Sequence, residues 1–187
     1  MMRLAALGLF LIVLTSCVSR MSDLPSYGVV PDFTLTDHRG ADFHSATELA
    51  GKIWVADFIF TSCHGPCPRM SSQMKQVQDR VEANPDVKLV SFTIDPKNDT
   101  PEVLSAYAKR YKAREGQWHF LTGPMEALNQ ICRYSFKLGN VDGTLEHSTR
   151  FVLVDRKGRI RGYYATDEPD AVTRLTADIQ KLLKEPA

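Results

Sequence analysis

Ile53-Trp54-Val55-Ala56-Asp57-Phe58-Ile59-Phe60 runs directly into Thr61-Ser62-Cys63-His64-Gly65-Pro66-Cys67-Pro68. The first eight residues are apolar or aromatic except for Asp57, the pattern of a strand buried on both faces. Gly65 and Pro66 then mark an exposed loop. Beyond it Met70, Met74, Val77 and Val81 recur at i, i+4, i+7 and i+11, which gives a helix one apolar face. Two cysteines four residues apart therefore stand where a buried strand passes into a helix. Ligand loops in open α/β sheets sit at the carboxyl ends of strands, and this loop is placed there.

Strands and helices alternate outward from this unit. Asp32 to Thr36 alternates as a strand, Asp37-His38-Arg39-Gly40 reads as a turn, and a short strand follows near Phe43. Val87 to Ile94 is the next strand. Asp99-Thr100-Pro101 supplies a cap and a first-turn proline for a helix marked by Val103, Leu104, Tyr107, Ala108 and Tyr111. Met125, Leu128, Ile131 and Cys132 predict another. Phe151 to Val154 and Ile160 to Tyr164 flank the turn Asp155-Arg156-Lys157-Gly158, and Val172, Leu175, Ile179 and Leu182 close the chain as an amphipathic helix. The expected fold is α/β, with a mixed central sheet flanked by helices and an N-terminal β-hairpin extension.

The chain has 187 residues, 43% hydrophobic and 24% charged, enough for one core without disulfide staples. Net charge is +1 with no basic run, so nucleic acid is not an expected partner. Arg3 and the apolar run Leu4 to Leu14 read as a secretory leader, since eleven apolar residues are too few to span a bilayer, which takes roughly 20. Leu14-Thr15-Ser16-Cys17 resembles a bacterial lipobox, which predicts cleavage after residue 16 and a lipid on Cys17. The expected organisation is a signal peptide over 1–16, a tether over 17–28 and one domain over 29–187, anchored by lipid at the extracytoplasmic (periplasmic) face of a membrane. Outside the cytoplasm a dithiol can be oxidised, and Cys63, Cys67 and Cys132 remain after processing.

At a helix amino terminus the local dipole lowers thiol pKa, so Cys63 and Cys67 are expected to favour thiolate. Such a pair can be a disulfide, a metal clamp or a nucleophile with its resolver. A third donor, His147, stands in Leu145-Glu146-His147-Ser148-Thr149-Arg150, just before the Phe151 strand.

Taken together, the sequence resembles the Sco/SenC family of copper chaperones over roughly Pro31 to Leu183. The resemblance rests on Cys63-x-x-x-Cys67-Pro68 after an aromatic strand. It rests also on Phe92-Thr93-Ile94-Asp95-Pro96-Lys97-Asn98-Asp99-Thr100-Pro101, and on His147-Ser148 followed by Phe151-Val152-Leu153-Val154-Asp155. It implies a thioredoxin-like fold and a copper site of Cys63, Cys67 and His147, taking Cu(I) and, as a second form, Cu(II). Soft thiolates with an imidazole suit Cu(I) on chemical grounds as well. The implied partner is the copper-centre subunit of cytochrome c oxidase, with other periplasmic copper carriers or thiol reductases as further partners.

The strongest alternative is a thiol–disulfide oxidoreductase that keeps partner cysteines reduced through Cys63 and Cys67 as a redox pair. Trp54-Val55-Ala56-Asp57-Phe58 resembles the thioredoxin strand whose buried acid assists proton transfer. Three residues instead of two between the cysteines, and Thr149-Arg150 where thioredoxins carry a proline, speak against it. A peroxidase lacks its threonine three residues before Cys63, where Phe60 stands. A closed structural zinc site wants four protein ligands. His64 beside the cysteines reads as a solvated loop residue or a tuner of the thiols. Asp95 and Asp99 read as turn and cap, or as residues that orient the site. Met70, Met74 and Cys132 read as core, and His38, His44 and His119 have no partner spacing.

Overall fold

The computed structural model describes residues 22–145 and 148–186; the leader, Cys17 and His147 lie outside the described residues. Seven strands form one sheet in the order β2-β1-β5-β4-β3-β6-β7. They are β1 (Thr34–Asp37), β2 (Asp42–His44), β3 (Ile53–Ile59), β4 (Val87–Thr93), β5 (Trp118–Thr122), β6 (Arg150–Val154) and β7 (Ile160–Ala165). The helices are α1 (Ser45–Glu48), α2 (Cys67–Arg80), α3 (Pro101–Arg110), α4 (Met125–Asn129), which continues into a π-helical turn over Gln130–Ser135, and α5 (Ala171–Leu183). No helix among the described residues is long and apolar enough to cross a membrane.

β3, β4 and β5 are parallel, whereas β6 lies antiparallel to β3 and β1 antiparallel to β5, so the sheet is mixed. The hairpin β1–β2 is the N-terminal extension, joined to the main sheet through β5. Every residue of β3 is buried. Ile53, Val55 and Ile59 face Met70, Met74, Val77, Leu104, Leu175 and Ile179, so α2, α3 and α5 cover one side. Trp54, Ala56 and Phe58 face Phe92, Leu128, Ile131 and Phe136 on the other. A strand so enclosed has no solvent side, which is why its sequence shows no polar alternation. Met70 and Met74 are fully buried core, as their helical spacing suggests, and Cys132 is buried in the separate core on the opposite face of the sheet.

β5 is the one strand that periodicity does not announce. Its five residues Trp118–Thr122 are all buried, and His119 and Thr122 interrupt the apolar pattern. His119 lies 5.0 Å from the Phe43 ring, ring centre to ring centre, and its nitrogens find no hydrogen-bond partner. Burial lowers its pKa to about 4 and keeps it neutral.

From Ser22 onward the chain is already fastened to the domain, because Arg161 donates to the carbonyls of Leu24 (2.8 Å) and Pro25 (2.9 Å). Polar, turn-prone composition describes the segment Ser22–Gly28 but cannot reveal a buried guanidinium more than a hundred residues away that needs its carbonyls.

Candidate metal and dithiol site

The pairing of Phe58 with Phe92 and Ile59 with Thr93 brings the ends of β3 and β4 side by side. From there the chain turns through Thr61–Pro66 into α2, with Cys67 as its first residue. Cys63 donates its backbone N–H to the Phe60 carbonyl at 3.3 Å, closing the turn. Cys63 is half-buried, Cys67 is fully buried beneath it, and both are thiols. The Gly65 N–H donates to Cys63 Sγ at 3.4 Å, which fixes the sulfur against the loop backbone.

Cys67 departs from the expectation drawn from its place at the helix start. Burial pushes its thiol well above the ordinary range. A backbone hydrogen bond with Phe60 opposes that shift, while the neighbouring Cys63 and the Asp57 charge add to it. Desolvation outweighs the helix amino terminus here. The pair is thus asymmetric: one sulfur reachable from solvent and one held as a buried thiol.

Asp57 lies on the same face of β3 as Ile59 and belongs to this cluster through its charge coupling to Cys67. It is fully buried, and neither carboxylate oxygen has a hydrogen-bond partner. Burial raises its pKa to about 7, with the nearby Ser91 hydroxyl offsetting part of that shift. That hydroxyl also accepts from Trp118 Nε1 at 3.0 Å.

The acidic motif after β4 is tied to the cysteine loop. Thr100, not Asp99, caps α3, accepting from the Val103 N–H. Asp99 instead accepts from Thr61 N–H (3.2 Å), Thr61 Oγ1 (2.5 Å) and Thr93 Oγ1 (2.5 Å), and is 1% exposed. Asp95 accepts from the Asn98 side chain at 2.8 Å and shapes the turn between β4 and α3. Asp99 is therefore a clamp on the loop that presents Cys63, two residues from Thr61. Sequence spacing signals the acid but not its partners, since Thr61 and Asp99 are 38 positions apart. Replacing Asp99 by alanine strands the part-buried Thr61 N–H and two hydroxyls. It should cost about 2–4 kcal/mol in urea unfolding, with the Thr61–Cys63 amides losing hydrogen-exchange protection ahead of the sheet. An unchanged exchange pattern at those amides would count against the clamp.

The remaining candidates are dispersed. His64 is exposed at the loop tip. His38 accepts from the Phe120 N–H (3.3 Å) and His44 contacts Thr34 Oγ1 (3.1 Å), both remote from the cysteines. Among the described residues no third His, Cys, Asp or Glu joins the pair in a metal cluster. Ser148–Arg150, which follow His147, lead into β6 beside β3 at the cysteine end of the sheet. Thr166 holds them there, donating its N–H (3.0 Å) and its Oγ1 (2.7 Å) to the Thr149 carbonyl. Gln73 of α2 in turn donates to the Thr166 carbonyl at 3.0 Å.

A mixed sheet with a Cys-x-x-x-Cys pair between its central strand and the following helix, above a buried acid, defines a thioredoxin-like dithiol protein. The model of the SCO1/SenC family matches residues 22–184, and the chain belongs to that family. A SCO1/SenC family lipoprotein from Bacillus anthracis superposes with a TM-score of 0.76 at 31% identity, covering 83% of this chain and 95% of that one. BsSco, a member of the Sco family of cytochrome c oxidase assembly proteins solved in work on its disulfide switch, gives 0.74 at 30% identity over 87% and 97%. A Stutzerimonas stutzeri protein named for copper binding is 32% identical over 151 residues, 75% of this chain and 71% of its own.

Proposed function

We propose that this protein binds copper through Cys63, Cys67 and His147 and passes it to the copper-centre subunit of cytochrome c oxidase. The observation that carries the reading is the asymmetric dithiol: a half-exposed Cys63 over a buried Cys67 at the end of the central strand. Two soft sulfurs with one imidazole match Cu(I), and a three-donor site open at one side leaves room for an incoming ligand from a recipient. Copper here is cargo, held and released. Membership of the family and the names of the relatives above support the same reading.

Lipid attachment at Cys17, after removal of residues 1–16, would hold the domain at the extracytoplasmic face of a membrane. The lipobox-like Leu14-Thr15-Ser16-Cys17 supports this, as does the lipoprotein character of the Bacillus anthracis relative.

A second reading is favoured by one specific observation, the unpartnered acid Asp57 buried near Cys67. A carboxyl whose pKa is raised to about 7 can take a proton from the buried thiol as it attacks a disulfide and return it afterwards. In that case the protein reduces the cysteines of its recipient.

The experiment that tests both readings mixes the reduced, copper-loaded protein with the apo copper-centre subunit, separates them, and counts metal and thiols on each. Copper moving to a recipient whose thiols are already reduced is the expected result. Reduction of the recipient's disulfide without copper movement overturns metal delivery in favour of the reductase.

A further inference from the structure

The two ends of the sheet carry different burdens. β3 begins at Ile53 and delivers the cysteine loop beyond Ile59. β6 runs back beside it, so Val154 pairs with Trp54 and the turn from Asp155 to Arg159 lies at the end remote from the cysteines. The N-terminal segment is fastened to that remote end. The Tyr27 N–H donates to the Ile160 carbonyl, the Ile160 N–H to Gly28, and the Val30 N–H to Gly158, each at 2.9 Å.

Ser22, the first described residue, is held by a buried charge cluster. Arg161, 4% exposed, pairs with Asp155 at 2.9 Å and Glu185 at 3.5 Å. Its remaining N–H groups donate to Ser22 Oγ (3.1 Å), Leu24 and Pro25. The Ser22 N–H donates to Glu185 Oε1 at 2.8 Å. Pulling Ser22 away would leave a buried charge cluster with unmet donors, which is strongly unfavourable. Ser22 is therefore fixed at the remote end of the domain.

Chain length then sets a limit. Five residue steps separate Cys17 from Ser22, a reach of no more than about 18 Å. The six steps along β3 from Ile53 to Ile59 already span about 20 Å, and Cys63 lies further on. The remote end also presents surface suited to lipid headgroups: Val29 is 62% exposed, Tyr27 is 49% exposed, and Lys157 is exposed in the adjoining turn. An aromatic ring with a polar tip and a lysine at the rim are groups that settle at a headgroup layer.

We propose that the strap end, with Tyr27, Val29 and Lys157, rests on the lipid headgroups of the anchoring membrane and holds the Cys63–Cys67 end away from the bilayer. This rests on the reading of Cys17 as the lipid anchor. It implies that the copper recipient presents its site above the bilayer surface by about the length of the domain.

The test uses the full lipid-bearing chain reconstituted in vesicles that carry an energy acceptor on their headgroups. One preparation bears a donor dye on Cys63 in a Cys67→Ser background. The other bears it at Lys157→Cys with Cys63→Ser and Cys67→Ser; Cys132 is fully buried and escapes labelling. The donor at position 157 should lose most of its emission and the donor at position 63 little. Equal or reversed losses on vesicles that carry the protein overturn the orientation, because the domain then lies on its side or tumbles. Flotation separates this from the anchor itself. A full chain that stays in solution, or a Cys17→Ser chain that still floats, overturns the lipid reading and the orientation with it.

Discussion

Replacing Cys63 and Cys67 together by serine should abolish stoichiometric Cu(I) binding in a chelator competition. The loss should far exceed the ~10–100-fold that removal of an outer-shell partner costs a metal site. A hydroxyl is a hard, poorly ionised donor and cannot replace a thiolate for a soft cation. The two sulfurs should also differ in how they contribute. Cys67 is a buried thiol whose pKa is pushed up by desolvation, so copper must displace its proton. Binding therefore releases protons, and apparent affinity should climb as pH rises for as long as the copper-free protein still holds that proton. His147→Ala should weaken binding without abolishing it, since it removes one donor of three. Tight Cu(I) retained by the double serine variant would sink the assignment of the site.

The strand–loop–helix unit and most of the sheet were legible because their residues answer to one local rule each. β3 and β4 are apolar runs, α2 and α5 keep helical spacing, and Thr100-Pro101 supplies the cap and first-turn proline of α3. β5 was not legible. Its buried His119 breaks the apolar run, and a histidine kept neutral by burial looks in sequence like a surface residue. The cysteine pair could be read from spacing and from its place after a buried strand, but its asymmetry could not. Whether Cys67 is lowered by a helix terminus or raised by burial depends on packing from Met70, Tyr107 and their neighbours in the same core. The role of Asp99 is similar. Spacing alone equally allows a cap, and only the register of β3 against β4 brings Thr61 to it. What sequence misses here are partners far apart in the chain. The buried Arg161 that pins Ser22, across 139 positions, is one such case.

Asp57→Asn should stabilise the reduced protein at neutral and higher pH while leaving its stability nearly unchanged at pH 4. In the unfolded chain Asp57 ionises near 3.8, whereas in the fold burial holds its proton until about pH 7. Below pH 3.8 both states carry the proton, and the carboxyl exerts no pH-dependent effect. As pH rises from there to about 7 the unfolded chain gives up its proton and the fold does not, so stability falls across this window. Above it the penalty is constant. Each pH unit of difference is worth about 1.4 kcal/mol, so the three-unit gap implies a penalty on the order of 4 kcal/mol. Asparagine has nearly the same shape and does not ionise, but its amide is still buried without partners, so a gain of about 2–4 kcal/mol is expected. Urea unfolding of the two proteins at pH 4 and pH 8 measures it directly. A stability difference that is the same at both pH values would mean that Asp57 reaches water or a partner, and would remove the basis for the proposed reductase reading. A residue kept at such cost, where asparagine would serve the fold better, points to use of its proton in thiol chemistry. The same variant should therefore slow any disulfide reduction by the pair while leaving Cu(I) affinity at high pH largely intact. A split of that kind separates the two readings of the site within a single substitution.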